Sequence, residues 1–195
     1  MKNYKMLKIA AFALLLTLPS IAAADREDWY FMFNFGFADH NHPGDIDAAF
    51  DALETIPGVD RIEIAMDLLG FYWPIAEQDT IIGFVINSSS DNLSDDFGND
   101  LSLNTYMYSV SGIHYFGQEI GDGFFVRGDF GIAYAEIDSN FGTAESDSGT
   151  GFLIGAGFAL PVSSQSRLIF GINMADRSIE GESYKVTEFT IGGLW

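Results

Sequence analysis

The sequence contains no cysteine. Disulfide bonds therefore cannot stabilise the fold, and a lipid anchor on an N-terminal cysteine is excluded. Basic residues are also scarce, because 9 Lys and Arg stand against 28 Asp and Glu, which gives a formal net charge of −19. The phosphates of nucleic acid would repel such a chain, so we expect no nucleic-acid partner and favour divalent cations or basic surfaces instead.

The chain also lacks the long apolar runs of helical membrane proteins. After residue 24 no stretch of about eighteen apolar residues occurs, so membrane-spanning helices are not predicted. Apolar residues nevertheless make up 48% of the sequence and aromatic residues 15%. They must therefore be distributed along the chain in a regular way, and their spacing indicates the fold. Neither a phosphate-binding glycine loop nor a Cys and His zinc pattern occurs, so we assign no cofactor and no metal ligand.

The N-terminus has the pattern of a secretory signal peptide. The first eight residues carry three lysines, and residues 9–18 form an apolar run that is too short to span a membrane. Small side chains at Ala22 and Ala24 fit the −3 and −1 positions of a signal peptidase site. We predict a signal peptide at residues 1–24 and one mature domain at residues 25–195; the alternative is an N-terminal membrane anchor.

Alternation with a period of two begins directly after the leader. From Trp29 to Phe37 an aromatic side chain occupies every odd position, which places five aromatics on one face of a β-strand. Seven further segments alternate in a similar way: Arg61 to Trp73, Thr80 to Ser88, Leu103 to Phe116, Phe124 to Ile137, Gly151 to Val162, Arg167 to Arg177 and Tyr184 to Trp195. The sequence therefore predicts eight strands.

One face of each strand is apolar and almost free of charge. The predicted outward side chains after the first strand are Ile62, Ile64, Met66 and Leu68; Ile82, Phe84 and Ile86; Tyr106, Tyr108 and Val110; Val126, Phe130, Ile132 and Tyr134; Phe152, Ile154, Phe158 and Leu160; Leu168, Phe170, Ile172 and Met174; Phe189, Ile191 and Trp195. The opposite faces carry small residues together with Glu63, Asp67, Arg127, Asp129, Asn173 and Glu188. This distribution predicts an all-β, eight-stranded antiparallel up-and-down transmembrane β-barrel with a polar, crowded interior.

The connections between these segments alternate in length. Longer ones at 39–60, 89–102, 138–150 and 178–183 take turns with shorter ones at 74–79, 117–123 and 163–166. Outer-membrane barrels have long external loops and short periplasmic turns in this order. Within the first loop, residues 45–54 have apolar side chains at helical spacing, with Asp45 as the expected N-cap. We therefore predict a short helix over or against the barrel mouth.

The last predicted strand has its outward side chains at Phe189, Ile191 and Trp195, so the outward apolar series continues to the final residue. With these features the chain resembles the small eight-stranded outer-membrane barrels, the family of the OmpA membrane domain and its OmpX-like relatives. The resemblance implies that these three residues form an assembly signal for the barrel assembly machinery. It also implies export to the bacterial outer membrane, in contact with lipid and lipopolysaccharide.

The predicted interior contains Arg127 near three carboxylates, Asp67, Asp129 and Glu188. An eight-stranded barrel is just wide enough to be filled with side chains, so a charge inside it needs a partner. We interpret the four residues as a lumen salt-bridge network, with a gated ion path as the alternative.

Two further groups of residues have candidate chemistry. His40 and His42 lie near the predicted tops of the strands, as do Ser88 and Asp91, and some outer-membrane enzymes that modify lipid A combine such residues externally. Without a distinctive spacing we assign no catalytic residue. The acids of 91–100 do not match an EF-hand, so we expect only diffuse attraction for divalent cations there. The sequence thus predicts a structural or surface-interaction protein, with a narrow pore and a lipid A-modifying enzyme as the alternatives.

Overall fold

The computed structural model describes residues 29–76, 79–117 and 119–195. The predicted signal peptide at 1–24 lies outside the described residues, so it stays a prediction. Within these ranges the chain forms nine strands and one helix. Their bounds are β1 Tyr30–Asn41, α1 Gly44–Glu54, β2 Val59–Ala76, β3 Thr80–Asp95, β4 Asp100–Tyr115, β5 Gly123–Ser139, β6 Gly142–Glu145, β7 Gly149–Pro161, β8 Arg167–Ile179 and β9 Glu182–Leu194.

Eight of these strands close into an antiparallel barrel. Each of β1 to β5 pairs with the next, β5 pairs with β7, and β7, β8 and β9 follow in order. The barrel closes where β9 pairs with β1, from Met32 opposite Leu194 to Asn41 opposite Lys185. The four-residue β6 pairs with β5 alone, as a short ribbon at the barrel rim. The predicted fold class, with one short helix between β1 and β2, is confirmed.

The two ends of the barrel are different. What we name the terminal end holds the start of β1, the ends of β2, β4 and β9, and the turn at 162–166. What we name the loop end holds α1, the turns at 96–99 and 180–181, and the β5–β7 connection with β6. Both ends of the described chain therefore lie on the same side of the barrel, as an even number of strands requires.

Strand alternation places an apolar belt on the outside of the barrel. Phe84 is 61% exposed, Phe130 67% and Ile172 52%, which confirms their predicted outward positions. On β5 the outward apolar series runs from Phe124 to Tyr134, a length that matches the 9–11 residues of a transmembrane β-strand. Aromatic side chains lie at both edges of the belt: Trp29, Phe31, Phe71, Trp73 and Trp195 near the terminal end, and Tyr106, Tyr108 and Tyr134 near the loop end.

The alternation of β2 changes face in the middle of the strand. The register against β3 shifts between Asp67 and Leu69, so one extra residue, Leu68, is accommodated in a bulge. Before the bulge Asp67 faces inward, and after it Tyr72 does, although one number is odd and the other even. The predicted outward series ends at Leu68, and past the bulge the outward residues are odd-numbered: Leu69, Phe71, Trp73 and Ile75 are exposed.

The predicted alternation of long and short connections is wrong at the loop end. β3 continues from Ser88 to Asp95, and only 96–99 connect it to β4. Its inward series stays buried throughout this extension, at Asn87, Ser89, Asp91 and Leu93. The strand keeps its period but loses its apolar outer face, because past the belt the outward side chains no longer need to be apolar. A hydrophobic pattern therefore underestimates its length.

Helix α1 covers the loop end of the barrel. Phe50 is buried, and Ile46 and Leu53 pack beside it against the interior. The helix begins after Pro43 without a side-chain cap, so the prediction of Asp45 as N-cap is wrong: this residue lies inside the first turn. In the described ranges, no helix has the length and apolar character needed to cross a membrane.

Candidate functional site

The barrel interior near the terminal end is an apolar layer. Tyr72, Tyr115 and Phe125 meet there, each at most 4% exposed. Smaller apolar side chains complete this layer, which also contains Met32, Ile81, Ile113, Ile120, Ala159, Ile169 and Leu194. The sequence prediction of a polar interior is wrong at this level, because large apolar side chains fill the lumen and exclude water from it.

A polar layer centred on Arg127 follows at mid-depth. Nη1 of Arg127 donates to Oδ2 of Asp67 at 2.5 Å and Nη2 donates to Oδ1 at 2.9 Å, so this pair is bidentate. The same guanidinium donates to Asp129 through Nε at 3.0 Å and through Nη2 at 2.6 Å. Asn34 and Asn87 donate to the remaining lone pairs of Asp67. The buried charges are thus paired and hydrogen-bonded, as a low-dielectric interior requires.

Glu188 belongs to the same layer but has a different cation. Its Oε1 lies 3.8 Å from Nη2 of Arg177, and it accepts hydrogen bonds from Asn87 and Asn173. Arg177 in turn donates to Asn87 and to Ser89. The prediction placed all three carboxylates around Arg127, whereas the structure brings two of them to Arg127 and the third to Arg177.

A second apolar layer closes the interior toward the loop end. Met107, Leu153 and Ala133 lie at its centre, and Phe50 of α1 packs onto it. Its other buried members are Leu93, Leu103, Ala135, Ala175 and Ile179. The interior therefore consists of one polar layer between two apolar layers, with a helix over one mouth.

His40 and His42 come together with Asp91 beside this layer. Nε2 of His42 lies 2.8 Å from Oδ2 of Asp91, and the two imidazole rings stack with centroids 5.1 Å apart. Arg61 binds Asp91 through two hydrogen bonds, and Nδ1 of His40 lies 3.1 Å from Oε1 of Glu63. We name these five residues the loop-end histidine cluster.

The loop-end histidine cluster lies at the loop-end edge of the apolar belt, where Ile62 on β2 is still apolar and outward. Phe37 is the last aromatic of β1, and the next outward residue is the exposed Asp39. Both imidazole rings are held away from solvent, since His40 is 7% exposed and His42 is 4% exposed.

The alternative of a lipid A-modifying enzyme requires these histidines to meet Ser88 and Asp91 of β3. Asn87, Ser89 and Asp91 alternate inward, so Ser88 points to the outer face, and Ser89 bonds Thr105. In the described part of the chain, no hydrogen bond connects a serine hydroxyl to a histidine ring. The structure therefore brings the histidines to the acid but not to a nucleophile.

The acidic segment 91–100 also divides into separate environments. Asp91 is buried in the loop-end histidine cluster, whereas Asp95 accepts backbone hydrogen bonds from Phe97 and Asn99 within the β3–β4 turn. Asp96 and Asp100 are exposed on either side of that turn. These carboxylates do not converge on one point, in keeping with the mismatch to an EF-hand pattern.

The predicted assembly signal, Phe189, Ile191 and Trp195, lies at the seam where β9 pairs with β1 and closes the barrel. Phe189 is 57% exposed and Ile191 is 38% exposed, both outward on β9. Trp195 and Phe31 exchange two backbone hydrogen bonds of 2.9 Å, and their rings lie 6.1 Å apart. The last residue therefore extends the pairing of β9 with β1.

No protein-family model matches the sequence, and no curated protein matches it either. Solved structures do match. Neisserial surface protein A has 11% sequence identity and a TM-score of 0.58, over 85% of this chain and 95% of that one. The Yersinia pestis attachment invasion locus protein Ail, solved in complex with the heparin analogue sucrose octasulfate, has 11% identity and a TM-score of 0.50, over 86% of this chain and 99% of that one.

The chain has the fold of the small eight-stranded outer-membrane β-barrels. A likeness at this identity establishes the fold alone, and it says nothing about ligands. The features particular to this barrel are its own interior layers and its acidic loop end.

Sequence reasoning missed two parts of the interior. The sequence predicts that a strand ends at Arg177, whereas β8 continues to Ile179 and the alternation from Asn173 places Arg177 inward. The sequence could have shown this, because Arg177 is four residues after Asn173 and therefore lies on the same face of the strand. Tyr72 was missed because the bulge of β2 exchanges the inward and outward positions of the residues that follow it. No local sequence feature indicates this exchange.

Proposed function

We propose that this protein is a non-conducting, non-enzymatic outer-membrane barrel that presents an acidic surface to the cell exterior. In this proposal residues 1–24 direct export and are removed, and residues 25–195 form the barrel. Lipid and lipopolysaccharide surround the belt, and the barrel assembly machinery inserts the chain. The loop end is the external end and meets the partners.

The observation that carries the non-conducting role is the layered interior. Side chains that face inward are buried at every level, from Tyr72 near the terminal end through Arg127 to Met107 near the loop end. A conducting lumen needs continuous water, which would expose these side chains. Ion passage would require both apolar layers to open, and α1 with Phe50 covers the mouth.

The surface role rests on the charge of the loop end. Of the basic residues there, Arg61 and Arg177 are engaged with carboxylates and Lys185 is exposed. Twelve acidic residues are exposed at the same end: Asp39, Asp45, Asp51, Glu54, Asp60, Asp96, Asp100, Asp138, Glu145, Asp147, Glu180 and Glu182. Such a surface attracts basic partners and the divalent cations that bridge lipopolysaccharide, and it repels polyanions. The sulfated ligand bound by Ail therefore does not transfer to this chain.

Planar-bilayer recording tests the non-conducting role. The purified barrel should give no steady current, while a variant with both apolar layers truncated, Tyr72→Ala with Phe125→Ala at the terminal end and Phe50→Ala with Met107→Ala at the loop end, should leak. Gel migration before and after heating shows whether each protein is folded. A steady wild-type current as large as that of the truncated variant would support the narrow pore and overturn this proposal.

The absence of cysteine allows the orientation to be tested cleanly. Phe141→Cys places a thiol at the loop end, at a position that is 99% exposed, and Ser164→Cys places one in an exposed terminal-end turn. A membrane-impermeant maleimide applied to intact cells should label Phe141→Cys alone, and both variants after lysis. Labelling of Ser164→Cys on intact cells would show that the terminal end is external.

A further inference from the structure

Three buried side chains of the loop-end histidine cluster have the chemistry of metal ligands. His40 and His42 lie at the end of β1, Asp91 lies on β3, and β2 separates the two strands. One ring nitrogen of each histidine and one carboxylate oxygen of Asp91 all lie within 4.8 Å of one another. Each of the three residues is at most 7% exposed.

The His40 ring carries a nitrogen that has no partner. Its Nδ1 lies beside the carboxylate of Glu63, whereas its Nε2 is buried and makes no hydrogen bond. Buried polar atoms without a partner are rare in native proteins, and each asks for an explanation. A neutral imidazole with its proton on Nδ1, held by a carboxylate, presents a free lone pair on Nε2. This is the arrangement that orients histidines on metal ions.

The charge around the cluster favours a cation. Arg61 lies within ion-pair distance of four carboxylates, those of Asp51, Glu54, Glu63 and Asp91. One guanidinium therefore faces four carboxylates, an excess of negative charge, although Asp51 and Glu54 are exposed to solvent and Arg177 also acts on His40 electrostatically. A divalent ion would reduce this excess, although it would have to share Asp91 with Arg61.

We propose that His40, His42 and Asp91 bind a Zn²⁺ ion, with Glu63 positioning His40. Two imidazole nitrogens and one carboxylate oxygen suit Zn²⁺ and its late first-row neighbours, whereas Ca²⁺ and Mg²⁺ take oxygen ligands. Nε2 of His42 and Oδ2 of Asp91 are already 2.8 Å apart. Tetrahedral Zn²⁺ with bonds of about 2.0–2.2 Å requires that this hydrogen-bonded pair opens slightly, that Nε2 of His42 carries no proton, and that the His40 nitrogen moves toward the pair.

The bound ion would join β1 to β3 across β2 at the loop end. The ring of Phe50 lies 5.5 Å from that of His42, so α1 packs directly against one ligand. The ion would thereby fix the strand that leads into α1, and with it the cover of the mouth. In a chain without cysteine, a metal ion supplies the cross-link that a disulfide cannot.

Binding can be measured on the folded barrel in detergent, after removal of metals with a chelator. Wild type should bind one Zn²⁺ per chain in calorimetry and retain it through dialysis, as measured by elemental analysis. His40→Gln and His42→Gln should each lower the affinity at least about tenfold, and Glu63→Gln about 10- to 100-fold. His114→Gln, at the other end of the barrel, is the matched control and should bind as wild type does.

The exposed acids of the loop end are the competing explanation, and Ca²⁺ separates it from the proposal. A tenfold excess of Ca²⁺ should displace loosely attracted Zn²⁺ but leave the histidine-bound ion in place. Binding that Ca²⁺ abolishes, or that persists unchanged when His40 and His42 are both replaced by Gln, would overturn the proposal.

Co²⁺ gives a readout that does not depend on the histidine variants folding. Loaded into wild type, it should produce the visible absorption bands of a tetrahedral nitrogen and oxygen site, and Zn²⁺ should abolish these bands in a one-to-one titration. A wild-type spectrum identical to that of Co²⁺ in buffer would refute the site, whatever the variants do.

Discussion

Arg127 of β5 reaches Asp67 of β2 across the lumen, with Nη1 2.5 Å from Oδ2 and Nη2 2.9 Å from Oδ1. β3 and β4 lie between these two strands in the barrel wall, so the contact connects parts of the chain that the sheet itself does not pair. A bidentate pair of this kind fixes both the distance and the direction of the two side chains.

The first prediction concerns the loss of this guanidinium. Arg127→Met should destabilise the barrel by about 3–5 kcal/mol, because Asp67 and Asp129 would stay buried without their cation. Urea unfolding in lipid vesicles, followed by tryptophan fluorescence and gel migration, measures the difference. Lys185→Met, at an exposed position, should change the stability by less than about 0.5 kcal/mol.

A triple replacement distinguishes two causes of the lost stability, unpaired buried charges and lost side-chain packing. Arg127→Met combined with Asp67→Asn and Asp129→Asn removes all three charges and should recover a large part of the lost stability. If the triple variant were as unstable as Arg127→Met alone, the loss would come from packing and hydrogen-bond geometry, and the ion-pair interpretation would be wrong.

The apolar belt gives a prediction that depends on depth. Ile172→Arg should cost about 2–4 kcal/mol if the side chain faces the bilayer midplane. Ser178 lies on the same outward face of β8, six residues further toward the loop end, and Ser178→Arg should cost no more than about 1 kcal/mol. Equal losses in the two variants, measured by unfolding in vesicles, would show that the belt is placed wrongly on this strand.

The fold was predictable because a strand with lipid on one side must alternate apolar residues with polar or small ones. Where lipid requires an apolar outer face, as from Phe124 to Tyr134, the strand and its facing follow from the sequence alone. Beyond the belt, toward the loop end, the outer face of a strand need not be apolar. The extension of β3 past Ser88 was therefore not predictable from hydrophobicity. The bulge at Leu68 was hidden for another reason, since apolar neighbours on both sides make the slipped and unslipped registers look alike.

The interior was less predictable than the wall. Strand alternation alone predicts that Asp67, Arg127 and Asp129 point inward. The choice of ion-pair partner also depends on how neighbouring strands are shifted relative to one another around the closed barrel. Glu188 was therefore given the wrong partner. His40 and His42 meet Asp91 from strands that are not neighbours, and only three-dimensional register brings them together.

The seam between β1 and β9 depends on a glycine. A Cβ at Gly36 would overlap the backbone carbonyl of Phe189, which a side chain cannot avoid by changing rotamer. Gly36→Ala should therefore cost about 1–3 kcal/mol through overpacking. Gly128→Ala is the matched control, since its Cβ would have no atom within 4 Å. Comparable folding yields and stabilities for both variants in vesicles would show that the seam tolerates a methyl group.

The acidic loop end predicts selective binding of cations. A lysine-rich peptide should bind the barrel in neutral-lipid vesicles and weaken as salt rises, whereas heparin should not bind. Replacing Asp96, Asp100 and Asp138 together with Asn should reduce peptide binding, and Glu119→Gln at the terminal end should not. Heparin binding, or peptide binding that is insensitive to the triple replacement, would contradict a surface that acts through its negative charge.

The last prediction separates the assembly role of the C-terminus from its role in the barrel. Trp195 exchanges two backbone hydrogen bonds with Phe31, and its ring lies at the edge of the belt, so deletion of Trp195 removes both a contact and the proposed signal. Trp195→Phe keeps an aromatic and should assemble in cells as wild type does. Trp195→Ser keeps the backbone pairing and loses the aromatic, so it should refold in detergent close to wild type but reach the outer membrane in much lower amounts. Refolding yield and the amount of heat-modifiable barrel in outer-membrane fractions are compared for all three variants. If Trp195→Ser lost refolding and cellular assembly in equal proportion, the residue would matter for barrel stability alone, and the assembly signal would not include it.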